Sequence, residues 1–310
     1  MFSSILGLGA ILSALIIAAL ASPVQLSRRE ISTELLDDFR LYAQFAALAA
    51  CDQNINGTRG ELSCDQGPCD LVQAHDNEII DSYHSSENAT GYIAFDHTKK
   101  LIIVTFRGTI SDFDAHTDFN IGWVDVPEFC KDCKAHTGFW GYWKSAEHQV
   151  IERLQNATEA KPDYGIALAG HSLGGAVATL AGTALRQKGF KLDIWTFGSP
   201  QIANQELAEF ITDQQKPVSV YRATHYRDGV PAVPGWPTGY RHPSPEYWIN
   251  QKTGETVTPD VVEVIEGINN KSGNLGFWHH NIGVDENHGW YFGNLSICVG
   301  PADLPANQGK

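Results

Sequence analysis

Between Ser32 and Ala50 the apolar residues Leu35, Leu36, Phe39, Tyr42, Ala43, Ala46 and Ala47 recur at helical spacing. The first ordered element is therefore predicted to be a helix, with Ser32 or Thr33 as its N-cap. Gly91–Phe95 and Leu101–Phe106 read as strands joined by the turn Asp96-His-Thr-Lys-Lys100. The run Leu-Ile-Ile-Val-Thr-Phe is almost wholly apolar, as in a strand buried on both faces. An amphipathic helix is expected over Ser145–Leu154 and a strand over Tyr164–Ala169. A Gly-rich turn and a helix over Gly175–Lys188 follow, with Gly189 placed to end it. Asp193–Phe197 and Val218–Ala223 are further strands. Strands alternating with helices predict a single α/β domain around a mostly parallel sheet. Beyond Asp228 the chain is rich in Pro and Gly, and periodicity assigns no element there.

The N-terminus carries a different pattern. Ile5 to Ala21 is nearly unbroken apolar sequence, with Ser13 its one polar side chain. A membrane-spanning helix needs roughly 20 such residues, so this run is short. Ala19-Leu-Ala21 has the small-x-small form of a signal-peptide cleavage site. Residues 1–21 are expected to be a secretory signal. Residues 22–29 then read as a short pro-segment trimmed after Arg28-Arg29, and 30–310 as the mature domain. Later segments are too polar to span a bilayer.

An extracellular location agrees with the rest of the chain. There are six cysteines, an even number that predicts disulfides in an oxidising compartment. Cys64–Cys69 and Cys130–Cys133 would close short loops, leaving Cys51 and Cys298 to tie the domain's two ends. A redox or zinc role for Cys130-Lys-Asp-Cys133 would need a cytosolic setting or a second Cys/His pair, and neither is evident. Asn56, Asn88, Asn156, Asn270 and Asn294 each begin an N-x-[ST] sequon. A net charge of −14 repels phosphate backbones and anionic membrane surfaces, so nucleic acid is excluded as a general partner.

Gly170-His-Ser-Leu-Gly174 lies between an apolar strand and an Ala-rich helix. This is the context in which G-x-S-x-G lifts a serine hydroxyl above a sheet on a tight strand-to-helix turn. The flanking glycines remove side chains that would clash there. The helix N-terminus turns backbone N–H groups toward developing negative charge. A serine nucleophile needs a base and an acid to orient it, in the chain order Ser, Asp or Glu, His. Asp228 follows the strand ending near Ala223, where catalytic loops lie. Its plainer reading is an Asx-turn residue. Asp193 opens a strand, at the wrong end of the sheet, and Asp213 sits in a polar stretch. His225, His242, His279, His280 and His288 all follow Ser172, and spacing alone leaves the choice open. The pair His279-His280 could also be a surface element. His171 is expected to turn its ring away from Ser172 and to be structural.

Phe106-Arg-Gly-Thr109, His136-Thr-Gly-Phe-Trp140, Gly170-His-Ser-Leu-Gly-Gly175, Tyr221-Arg-Ala-Thr-His225, Ser244-Pro-Glu-Tyr-Trp248, Glu266-Gly-Ile268 and Trp290-Tyr-Phe292 together resemble the filamentous-fungal secreted lipases. These form the class 3 lipase family, which has the α/β-hydrolase fold. The resemblance runs from about Ser32 to Cys298. It implies the pairs Cys51–Cys298, Cys64–Cys69 and Cys130–Cys133. It also implies His288 as base, Asp228 as acid, and an oxyanion hole from Thr109 and the N–H of Leu173. Fixed donors about 2.7–3.1 Å from the oxyanion are what such a reaction needs. No metal or cofactor is called for, and a monomer is expected.

In that family the segment after the oxyanion residue is an amphipathic lid with a large apolar residue, often Trp. Here it is Ser111-Asp112-Phe113-Asp114-Ala115-His116-Thr117-Asp118, with Ala115 where the Trp would stand. Burying Phe113, its one large apolar group, would contribute only about 1.5–3 kcal/mol. So polar a lid resembles the related fungal feruloyl esterases. The Cys64–Cys69 pair and the Ser244–Trp248 stretch resemble lipases instead. The expectation is thus a secreted acylglycerol lipase with weak activation at an oil–water interface. A feruloyl esterase acting on plant cell-wall esters is the alternative, and a catalytically silent binding glycoprotein is the reading from another class.

Overall fold

A computed structural model of the chain describes residues 30–57, 59–65, 67, 69–108, 121–214, 219–235, 237–277 and 286–298. The signal and pro-segment, Thr109, the lid residues 111–118 and the His279-His280 pair lie outside the described residues.

Helix α1 (Thr33–Leu48) begins where its periodicity predicts. The Ser32 side chain accepts from the Leu35 N–H and caps it. The short turns α2 (Asp52–Ile55) and α3 (Asp70–Gln73) follow. Strands β1 (Asn77–His84), β2 (Thr90–Asp96) and β3 (Leu101–Phe106) form an antiparallel edge. A small hairpin, β4 (Trp123–Asp125) and β5 (Lys134–His136), precedes helix α4 (Thr137–Ala160). Then come β6 (Gly165–His171), α5 (Leu173–Gln187), β7 (Leu192–Phe197), α6 (Gln205–Asp213), β8 (Val220–His225), β9 (Glu246–Ile249) and β10 (Val262–Ile265). The main sheet runs β1-β2-β3-β6-β7-β8-β9-β10, parallel from β3 to β9 and antiparallel at both edges.

Side chains alternate between two cores, as strand geometry requires. Ile102, Val104, Phe106, Leu168 and Ile194 face the α4/α5 layer. Ile103, Ala167, Ala169, Trp195 and Phe197 face α1. There the ring of Phe39 meets Trp195, Phe197, Tyr221, Tyr247 and Phe292 at centroid distances of 4.9–6.4 Å. The single α/β domain expected from the pattern is what forms.

Strands β6 and β8 each run two residues past their expected ends, β1, β4, β5, β9 and β10 add to the strands expected from the sequence, and three helices differ as well. Helix α4 starts eight residues before the expected Ser145. His136 caps it through Nδ1, and Phe139, Trp140 and Trp143 extend its buried stripe, which Gly138 and Gly141 disguise. Helix α5 starts two residues early, because Ser172 itself occupies the N-cap position. The polar stretch holding Asp213 is the end of α6, capped by the Asn204 side chain. Gly189 does end α5, at φ +94°.

All three disulfides form with the implied pairing. Cys51–Cys298 fastens the C-terminal tail to the end of α1. Asn56, Asn88, Asn156 and Asn294 are exposed, and Asn270 is half-buried with Nδ2 donating to the Glu266 carbonyl. Among the described residues no helix is long and apolar enough to cross a membrane.

Candidate active site

The parallel strands end in register. Phe106 pairs with Gly170, His171 with Phe197, and Phe197 with Ala223. Gly108, Ser172, Gly198 and Asp228, one to three residues beyond the ends of β3, β6, β7 and β8, therefore lie along the carboxyl edge, where open α/β sheets place their sites.

Ser172 sits between β6 and α5 with φ +57° and ψ −128°. A non-glycine residue there is strained by about 1–3 kcal/mol. The surroundings impose it: the Ser172 N–H donates to the Phe197 carbonyl, and its own carbonyl accepts from Gly175 N–H, both at 2.9 Å. The flanking glycines are steric necessities. A Cβ on Gly170 would lie 2.2 Å from the Gly174 carbonyl oxygen, and one on Gly174 would lie 2.0 Å from that of Phe106. A Cβ on Gly108 would be 3.6 Å from Ser172 Cβ, so the end of β3 runs directly beside the serine. Leu173 opens α5, where the first N–H groups lack intrahelical acceptors.

Across the edge, His288 Nδ1 donates to Asp228 Oδ2 at 2.8 Å, and both side chains are nearly fully buried. Tyr291 OH donates to the same Oδ2. Val230 N–H donates to Oδ1 at 2.9 Å, and Asn274 Nδ2 to the Asp228 carbonyl at 2.9 Å. Burial pushes the Asp228 carboxyl up. The charge of His288 and the hydrogen bonds from His288, Tyr291 and Val230 outweigh it, so Asp228 titrates below the usual carboxylate range. Asp228 makes an Asx-turn to Val230 and is the histidine's partner at once. A Cβ on Gly198 (φ +62°) would come within 3.0 Å of Tyr291 OH, Asp228 Oδ2 and His288 Cε1. Glycine is what lets the pair lie against the strand carrying the Phe197 carbonyl that holds Ser172.

His288 is thus the histidine paired with Asp228. His225 donates through Nδ1 to the Asn287 carbonyl, and His242 through Nε2 to the Pro231 carbonyl. Asp193 lies at the amino end of β7 and accepts from Ser219 N–H. The His171 ring lies beside that of His288, centroids 4.6 Å apart with the planes tilted by 34°, and its Nε2 donates to the His288 carbonyl at 2.8 Å. The pattern reading missed Tyr291, Gly198 and Asn274. Tyr291 had a signal, three residues after His288 in the Trp-Tyr-Phe stretch. Asn274 had none. Among the described residues no three His, Cys, Asp or Glu side chains gather as a metal group.

Burial holds the His171 imidazole down to about 3, with the nearby His288 adding to the effect, and holds His136 down to about 4. Unfolded imidazoles titrate near 6.5. Below that pH the unfolded chain binds protons the folded chain refuses, so stability present above pH 6.5 is lost as pH falls toward each folded value. Each histidine contributes a slope of at most about 1.4 kcal/mol per pH unit. Urea unfolding midpoints are expected to drop steadily between pH 6.5 and 4. Midpoints that stay flat over that range would show that these imidazoles titrate normally.

Residues 103–238 match the family model described as Lipase (class 3). The chain is 35% identical over 294 residues to the secreted mono- and diacylglycerol lipase A of Penicillium cyclopium, covering 94% of this chain and 95% of that protein. It is 35% identical over 279 residues to the secreted mono- and diacylglycerol lipase 1 of Fusarium solani, covering 89% and 81%. Its fold is similar to the crystal structure of the mono- and diacylglycerol lipase from Aspergillus oryzae, with TM-score 0.80 and 36% identity over 86% of this chain and all of that one.

Proposed function

The chain belongs to the class 3 lipase family, and from that premise we propose that it is a secreted acylglycerol lipase working through Ser172, His288 and Asp228. The observation that carries this reading is the buried His288–Asp228 hydrogen bond, on the same sheet edge as Ser172 at its strained turn.

Ser172 Oγ attacks the ester carbonyl while His288 Nε2 takes its proton. Asp228 accepts the Nδ1 proton bond throughout, which holds the ring and stabilises the imidazolium without taking the proton. The tetrahedral oxyanion is stabilised by the Leu173 N–H, with Thr109 as the second donor. The intermediate collapses. The C–O bond to the glycerol side breaks, the leaving alkoxide takes the proton from His288, and an acyl-serine remains. Water then attacks that ester with His288 again as base. The fatty acid leaves and Ser172 regains its proton. No cofactor enters these steps.

The Asp-rich segment 111–118 favours a second reading, a feruloyl-type esterase with an open site. Rates of the mature chain on monoacylglycerol, diacylglycerol, long-chain triglyceride and methyl ferulate separate the two, measured with and without an emulsion. Glycerides are expected to be hydrolysed faster than ferulate, with only a small rise at the interface, because the polar segment has little apolar area to release. Faster hydrolysis of ferulate would replace the first reading with the second.

A further inference from the structure

The peptide units on both sides of His288 are each pinned by an imidazole from a different strand, His225 buried and His171 half-buried. His171, the last residue of β6, donates through Nε2 to the carbonyl of His288 at 2.8 Å. His225, the last residue of β8, donates through Nδ1 to the carbonyl of Asn287 at 2.9 Å. These two carbonyls bracket the Cα of His288. The strands that supply the pins are not neighbours, since β7 lies between them. Residues 286–289, which carry His288, are turn, not helix or strand.

We propose that His171 and His225 form a two-point clamp that sets the position of the catalytic base, acting as positioning residues through its main chain. The proposal rests on reading His288 as the base. Histidine suits the task for three reasons. A rigid planar ring fixes its donor with only two rotatable bonds. It donates to a buried carbonyl without importing a permanent charge. And a neutral ring at 171 avoids repelling the imidazolium that forms on His288 in each turnover, which Lys or Arg there would do. The two pins use opposite ring nitrogens, so they require opposite tautomers.

That opposition makes the clamp testable by donor placement. A glutamine amide nitrogen lies near the position of histidine Nε2, and an asparagine amide nitrogen near Nδ1. His171→Gln and His225→Asn therefore keep a donor in place and are expected to lose less than about tenfold in kcat. The crossed variants His171→Asn and His225→Gln misplace it, and are expected to lose about 10²-fold in kcat with KM within about twofold. A base displaced by about 1 Å costs on that order. Equal kcat in matched and crossed variants would overturn the clamp, as would losses that track melting temperature and appear equally in KM. A second measurement needs no folded variant: 15N-histidine NMR of the wild-type protein at pH 7. It is expected to show slowly exchanging Nε2–H on His171 and Nδ1–H on His225, and the other tautomer at either residue would also overturn it. Ser172→Ala is assayed alongside. If that variant stays active, the reading of the site fails. If it is inactive while crossed and matched variants agree, the clamp alone fails.

Discussion

Replacing Ser172 by alanine is expected to lower kcat by about a millionfold while leaving KM within a few-fold of its normal value. In serine hydrolases the nucleophile, base and acid act as a unit, so loss of the hydroxyl forfeits nearly all they supply together. The residual rate over water then comes from the oxyanion donors and from binding. Alanine suits the measurement because it retains Cβ. It keeps a side chain at φ +57°, where the Phe197 carbonyl and the Gly175 N–H hold the backbone. Glycine would relax that turn and confuse a catalytic loss with a conformational one. The melting temperature should accordingly stay close to that of the parent chain. Steady-state turnover of a soluble ester gives kcat. An organophosphonate that forms a stable adduct with the parent chain should leave the variant unlabelled. Normal turnover, or labelling at another serine, would move the nucleophile elsewhere.

The legibility of this chain follows the distance over which each feature is determined. Strands β3, β6, β7 and β8 were readable because both of their faces are covered, which leaves nearly continuous apolar runs. The edge strands β1 and β10 are half-exposed and carry Glu78, Asp81 and Glu263, while the four-residue β9 is mostly buried but opens on the buried carboxylate Glu246. Their pattern does not separate from that of loops. Helix α4 was half-read, because the aromatic stripe of its first turns is interrupted by glycines whose helical placement depends on the His136 cap. At the site, the turn around Ser172 is local and its glycines announce it. The partnership of Asp228 with His288 spans 60 residues, and only chain order and the family resemblance pointed to it. The contacts of His171 and His225 are hidden for a different reason. Their partners are main-chain carbonyls that folding alone brings near, and such partners leave no residue-type signature. For His171 those contacts are the His288 carbonyl and the His288 ring.

Converting Asp228 to asparagine is expected to cost about 10⁴-fold in kcat with little change in KM, by the tautomer effect known for a triad acid. The hydrogen bonds around Asp228 show why one isosteric atom matters so much. Its Oδ2 accepts from His288 Nδ1 and Tyr291 OH, and its Oδ1 accepts from Val230 N–H. An asparagine that keeps its oxygen toward Val230 presents an NH₂ to His288. The imidazole must then accept at Nδ1 and carry its proton on Nε2, the nitrogen that has to receive the serine proton. The flipped amide restores the tautomer but confronts Val230 N–H with a second donor in a fully buried site, where an unpaired polar group costs about 1–3 kcal/mol. Either rotamer also removes the charge that offsets the imidazolium of the transition state. Glycine at position 198 leaves no slack for the ring to swing away, because the pair is packed directly against that backbone. The loss should therefore appear in both acylation and deacylation, since the proposed mechanism uses His288 as the base in each. Pre-steady-state traces with a chromogenic ester separate the two steps. A deficit confined to one of them, or a variant within tenfold of the parent chain, would mean that Asp228 only braces its loop and that another group orients the base.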